Sequence, residues 1–338
     1  MGECNMQSNT TVKERQWPMW QVYAFVGAAI FCGTFTQPLL KLILSHGVSS
    51  EAVTFYRLSI VALTLAPLTL RKKKYREELK RGFSSFQNAW PLVSLGVCKQ
   101  LLFLCAAFGL KLAPVFVYNT INNLSPIFVI ALSYVFLREK VSKRSMIGVG
   151  ICIGGVLVIG GSEMFASGSI GNIGGLILPT IAAISFAVYL IISRKLRGDY
   201  SLMTLMFVLF SIAAGLQLIV CLVLRVSLFP LPSLPVIGLI LLICYFCTLW
   251  PQSMPVWSMK FMPPSTYSLL NLCGVTLTAV EAYFMFGEVP SIPTVIGGLA
   301  ILAGLAYYIV VQQKEHAAAV QQRAQVVSAT PAQPQNGD

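Results

Sequence analysis

Three ionisable residues stand inside long apolar runs: Arg57, Lys99 and Glu281. A charge at such depth is costly in hydrocarbon, so groups of this kind face a bundle interior or a water-filled cavity. Two cations against one acid favour a bound carboxylate or phosphate, and the planar arginine fork can hold either bidentately. The competing role is an internal ion bridge that locks helices together and binds nothing. Amides extend the set. Asn119, Asn122 and Pro126 recur at helical spacing, as do Asn271, Gly274, Thr278 and Glu281, so each series shares one helix face. Such Asn residues can equally glue helices, at about 1 kcal/mol in a membrane. Tyr118, Trp250, Gln252 and Tyr267 are weaker candidates for contact with a substrate.

Other chemistry-bearing residues read as structural. Glu139 and Glu288 sit just past helix ends, where each could satisfy a neighbouring helix N-terminus. Gly148, Gly150, Gly154, Gly155, Gly297, Gly298 and Gly304 lie inside apolar helices with no preceding strand, which indicates close helix packing rather than a nucleotide loop. Cys244 and Cys247 form a C-x-x-C without a second pair or a nearby histidine, so no metal is expected. The two histidines, His46 and His316, fall in a loop and the tail. No intramembrane histidine or nucleophile–base pair supports an enzyme. No Walker motif supports direct use of ATP, and no cofactor is implied. Gly2 is not followed by the Ser or Thr that myristoylation wants, since Met6 stands there. The sequon at Asn9 would lie in a cytosolic tail.

The elements that must position these residues are membrane helices. Of 338 residues, 56% are apolar and only 11% charged, with a mean hydropathy of +0.74. Soluble domains carry about 25% charged residues, and a disordered chain would be far less apolar. A span needs about 20 apolar residues. Ten runs qualify, at about 20–44, 52–70, 90–110, 115–137, 145–160, 174–192, 201–224, 234–257, 264–286 and 293–311. The fifth is short. They are continuously apolar, which excludes a barrel. With residues 1–19 inside, 19 Lys and Arg fall in the inner segments and 5 elsewhere, including the run at 71–81. That asymmetry accounts for the net charge of +12 without nucleic acid and places both termini in the cytosol. The basic run anchors topology, with anionic lipid a secondary ligand. Residues 312–338 are expected to be a disordered cytosolic tail.

A shift of 149 positions aligns the chain with itself. Lys111 falls on Lys260, Pro114 on Pro263, Tyr118 on Tyr267, Asn122 on Asn271, Tyr134 on Tyr283, Glu139 on Glu288, Ser142 on Ser291 and Gly148 on Gly297. Residues 20–160 and 174–311 are therefore two five-helix repeats. Five is odd, so the second enters the membrane inverted, an arrangement that secondary transporters use to enclose a midplane site. The fold class expected is an all-α polytopic membrane protein of ten transmembrane helices.

The stretches Gly109-Leu-Lys-Leu-Ala-Pro114, Asn122-Asn-Leu-Ser-Pro126, Leu137-Arg-Glu139 and Gly148-Val-Gly150 resemble the EamA-like repeat of the drug/metabolite transporter superfamily. A second copy runs Met259-Lys-Phe-Met-Pro-Pro264, Gly287-Glu288 and Gly297-Gly298, and Phe55-Tyr-Arg57 also looks like that family. Val275 replaces Pro126 in the second copy, so a helix irregularity there is not assured. The resemblance implies a transporter of amino acids, other metabolites, nucleotide sugars or sugar phosphates. The expected activity is secondary transport, by alternating access, of a small carboxylate- or phosphate-bearing metabolite. Facilitated exchange of organelle metabolites such as nucleotide sugars is the alternative, with a channel behind it. The partners are a small-molecule substrate and membrane lipid, with a homodimer left open. The default location is the plasma or inner membrane, with an organelle membrane as the other choice.

Overall fold

In the computed structural model the described residues are 18–112, 115–139, 141–167, 173–228, 234–286 and 291–329, and the regular structure in them is helical throughout. The tail before residue 18 (with Gly2, Asn9 and Trp17), Pro114, Gly287, Glu288 and residues 330–338 lie outside them.

Span 1 consists of Met19–Thr34 and Thr36–Leu44, span 2 is Ser50–Arg71, and span 3 is Phe86–Leu112. Span 4 consists of Val115–Asn122 and Ser125–Leu137, followed by span 5 at Lys143–Ser167. The second repeat has span 6 at Ile173–Asp199, span 7 at Leu202–Val223 and span 8 at Leu234–Ser258. Span 9 consists of Pro264–Asn271 and Cys273–Phe286, and span 10 is Ile292–Ala329. Nine of these segments are long and apolar enough to cross a membrane among the described residues. Span 9, broken and richer in polar residues, is the tenth. The chain is an all-α, multi-pass integral membrane protein.

Three differences from the sequence reading have local causes. Span 5 is not short: it continues to Ser167. Span 10 runs to Ala329, through most of the segment expected to be disordered. Alanine is the best helix former and glutamine a good one, so an Ala/Gln-rich continuation prolongs a helix already nucleated by packing. The third concerns span 9, which breaks at Leu272 although Val275 stands where span 4 has Pro126. Leu272 N–H donates to the Leu269 carbonyl and Val275 N–H to the Leu272 carbonyl, while Leu124 and Ile127 make the same tightened pair of bonds in span 4. The irregularity is thus a 3₁₀-like turn kept by both repeats rather than a proline effect.

Repeat-matched residues do matched work. Ser142 and Ser291 each accept a hydrogen bond from the backbone N–H three residues on, capping spans 5 and 10. Those two spans then pack backbone to backbone. A Cβ on Gly155 would lie 2.5 Å from the Gly297 carbonyl oxygen, and one on Gly148 would lie 2.8 Å from that of Gly304. Only glycine permits that approach, which trades side-chain bulk for dispersion contact between helices.

One helix was not foreseen. Lys73–Phe83, between spans 2 and 3, turns Tyr75, Glu78, Leu79 and Gly82 toward the bundle and leaves Lys73, Arg76, Glu77 and Lys80 exposed. Glu78 Oε2 accepts from Ser201 N–H at 3.0 Å and from the Ser201 and Thr204 hydroxyls at 2.6 Å each. Ser201 is the N-cap of span 7, where the helix dipole also favours an anion. Burial pushes the Glu78 carboxyl up, but these bonds outweigh it and, with Lys74, hold it below its usual range. An acid with a lowered folded pKa stabilises fully above the ordinary carboxylate range and loses that contribution as pH falls through the lowered value. Glu78→Gln is therefore expected to lower stability at pH 7 by about 1 kcal/mol, discounted for partial exposure. Thermal unfolding in detergent should show the gap from the parent protein closing at acid pH.

Candidate functional site

Two cations meet around one ring inside the helix bundle. Span 3 sets Lys99 and Phe103 four residues apart on one face, and span 2 brings Arg57 to the same phenyl group. The Arg57 guanidinium carbon lies 5.3 Å from the Phe103 centroid, and Lys99 Nζ lies 5.6 Å from it. Lys99 Nζ also lies 5.0 Å from the ring of Tyr189 on span 6 and donates to Gln252 Oε1 on span 8. Four spans thus converge on this cluster. Arg57 and Lys99 are each only 5% exposed. Arg57 Nε and the Tyr189 hydroxyl have no hydrogen-bond partner among the described residues. Ring faces attract a desolvated cation, but they do not neutralise it.

The acid lies elsewhere. Glu281 on span 9 is 4% exposed and accepts a hydrogen bond from the Thr34 hydroxyl on span 1, while its Oε2 has no partner among the described residues. The ion pairs formed among those residues include Lys73–Glu77 and Arg194–Glu139, and none joins Glu281 to Arg57 or Lys99. The internal ion bridge considered from the sequence is not made.

Gln252 owes its place to a defect in span 8, where a π-helical stretch, Ile243–Leu249, interrupts the α-helix. Pro251 comes two residues later, with no N–H to donate and a ring that crowds the carbonyl four residues back. Widening the preceding turn relieves that crowding, and the Thr248 hydroxyl satisfies the Ile243 carbonyl at 2.9 Å. Cys244 and Cys247 lie buried in this stretch, and no group of three metal-ligating side chains forms among the described residues.

The remaining candidates disperse. Tyr118 packs in a satellite apolar cluster with Cys105 and Ala182, and Tyr267 is buried in the main core. Asn119 and Thr278 are exposed, and the Thr278 hydroxyl bonds its own helix at Gly274 O, 2.7 Å away. Asn122 and Asn271 are half-buried at the ends of the first halves of spans 4 and 9, and Trp250 is half-buried at the π–α junction. No hydrogen bond among the described residues ties these side chains to the two cations. The break in span 4 also separates Asn119 and Asn122 from Pro126, so that series is not one continuous face. Glu139 does not serve a helix N-terminus as expected: it faces Arg194 Nε at 3.7 Å.

Four contributors escaped the sequence reading. Phe103 was visible as the residue four beyond Lys99, and Tyr189 carried no signal at all. Gln100 and Gln217 were legible as amides inside apolar runs. Gln100 donates to Gln217 Oε1 at 2.5 Å, and Gln217 donates to the Glu51 carbonyl at 3.1 Å, tying spans 2, 3 and 7.

A buried charge without a counter-ion lowers stability. Lys99→Met should therefore raise the unfolding midpoint of the purified protein, by the equivalent of about 1 kcal/mol or more. A lowered midpoint would make Lys99 a structural pin instead.

A family model described as the EamA-like transporter family matches residues 19–161 and 173–310. An uncharacterized transporter of Archaeoglobus fulgidus is 33% identical over 89 residues, which is 26% of this chain and 30% of that relative. The matched part of that relative is thus under a third of its length. A solved crystal structure at 17% identity superposes with a TM-score of 0.68, covering 86% of this chain and 99% of the other, which speaks to fold alone. With two successive matches that together take in nearly all of the membrane region, the chain belongs to the EamA-like transporter family.

Proposed function

We propose that this protein is a secondary transporter that moves a small carboxylate- or phosphate-bearing metabolite, such as an amino acid, by alternating access of its two repeats. One observation carries the reading: Arg57 and Lys99 are buried side by side at membrane depth with no carboxylate partner among the described residues. An anionic group arriving there gains two charge-assisted contacts in a poorly solvated site, where they are strongest. Gln252 and the Tyr189 hydroxyl add polar atoms on the far side of Lys99. The face that carries residues 71–86, 138–145, 194–202 and 258–264 is the cytosolic one, since it gathers most of the Lys and Arg. Glu281 is the group that takes up and releases a proton in step with the movement of cargo.

A thermal-shift screen of metabolites against purified protein tests the anion site, because a ligand that binds only the folded state raises its stability. Carboxylates or phosphates should raise the midpoint, and Arg57→Gln or Lys99→Gln should weaken that binding about tenfold or more. Binding confined to cationic or neutral compounds would overturn the reading. Uptake into proteoliposomes tests Glu281: the Glu281→Gln variant should lose the pH dependence of transport, whereas an unchanged profile would leave facilitated exchange.

A further inference from the structure

Spans 6 and 8 meet twice along their length, first at the cation cluster and then at the membrane face that carries the basic segments. Tyr189 and Gln252 hold Lys99. Five residues on, about 7.5 Å along span 6, is Arg194, and seven residues on, about 10 Å along span 8, is Met259. Arg194 Nη1 donates to the Met259 carbonyl, and Arg194 Nε lies 3.7 Å from Glu139 Oε1 at the end of span 4. Met259 is the C-cap of span 8, where unpaired carbonyls and the negative end of the helix dipole meet a cation well. Glu139 is set in place by Arg138, whose left-handed conformation (φ 54°) turns the chain at the end of span 4. The core is closed between cluster and clasp, where Leu190 and Val256 are buried, and around the clasp, where Met259, Met262 and Tyr267 are buried.

The opposite face differs. A small pocket of about 10 Å³, room for roughly one water molecule, lies there among the start of span 2 and the ends of spans 3 and 7, lined by Ser50, Thr54, Phe108 and Gln217, and it reaches Phe103. Phe103 is the ring on which both cations rest. The molecule is thus tied at one face, while the other carries a water-sized pocket that reaches the cation cluster.

We propose that Arg194 is the gate of the basic face: its guanidinium clasps spans 4, 6 and 8 through Glu139 and the Met259 carbonyl, and its release opens the path from that side to Lys99. The proposal rests on the alternating-access reading above. The clasp suits the task because it is breakable. The Arg194 and Glu139 side chains are 33% and 25% exposed, so water can take over their bonds when the helices part. A tie of this kind biases a two-state equilibrium by an amount that differential binding of a substrate can reverse.

Thiol accessibility in lipid nanodiscs, where both faces meet solvent, tests the gate. Cysteine is introduced by Val256→Cys, between Gln252 and Met259, or by Thr54→Cys, in the small pocket of the opposite face. Labelling by an impermeant maleimide is read at each position by mass spectrometry, so the native cysteines stay in place. Adding Arg194→Gln should raise labelling at position 256 about tenfold and lower it at position 54, and Glu139→Gln should shift both the same way but less. Unchanged labelling at both positions, or a rise at both, would overturn the gate, the latter by showing general loosening. Should Arg194→Gln fail to fold, the Glu139→Gln pair decides on the same criteria. The outcome is separable from that of the anion site. If ligand binding survives Arg57→Gln and Lys99→Gln while labelling still shifts reciprocally, the anion site fails and the gate stands. The converse pattern removes the gate alone.

Discussion

A charge in hydrocarbon has nowhere to shed its cost, and that constraint organises this molecule. Arg57 and Lys99 sit where lipid would surround a lone helix, so four spans must wrap them. Phe103 lies within cation–π distance of both like charges, which helps to desolvate them favourably without supplying an anion. The one deep acid is held apart with Thr34, so the charges of the bundle are separated rather than cancelled. A protein selected for stability alone would have paired or removed them.

The helix irregularities answer the same need. In a membrane, backbone groups released by a break must be satisfied inside the protein. Spans 1, 4 and 9 are each divided, and span 8 carries a π stretch. Each departure is short, and those in spans 4, 8 and 9 are repaired nearby: by tightened turns in spans 4 and 9, and by the Thr248 hydroxyl in span 8. The π stretch also sets the rotation of the α-helical turns after it, and Gln252 reaches Lys99 because Pro251 has already spoiled a regular helix. Spans 5 and 10, by contrast, are unbroken and meet through glycines, which makes them a stiff seam beside the more irregular helices.

Much of this was legible in the residues themselves. Continuous apolar runs announce membrane helices because lipid admits little else, and the 149-residue repeat survives because both halves need the same turns and caps. Ser142 and Ser291 were recognisable as a matched pair before their hydrogen bonds to the next turn were seen. The site was harder to read. Lys99 and Arg57 stood out by charge, but Tyr189 and Phe103 did not, because an aromatic in an apolar run is usually packing. The Asn series looked like pore linings at ideal spacing, yet the break at residues 123–124 rotates its members apart.

Composition and periodicity therefore determined the class of protein, the number of spans and the internal symmetry, since these depend on local chemistry repeated along the chain. Only the tertiary structure decided which charges meet, that Glu281 stays clear of both cations, and that Glu139 reaches Arg194. The physical reason is that helix rotation and crossing place a side chain, and both are set by packing between segments far apart in sequence.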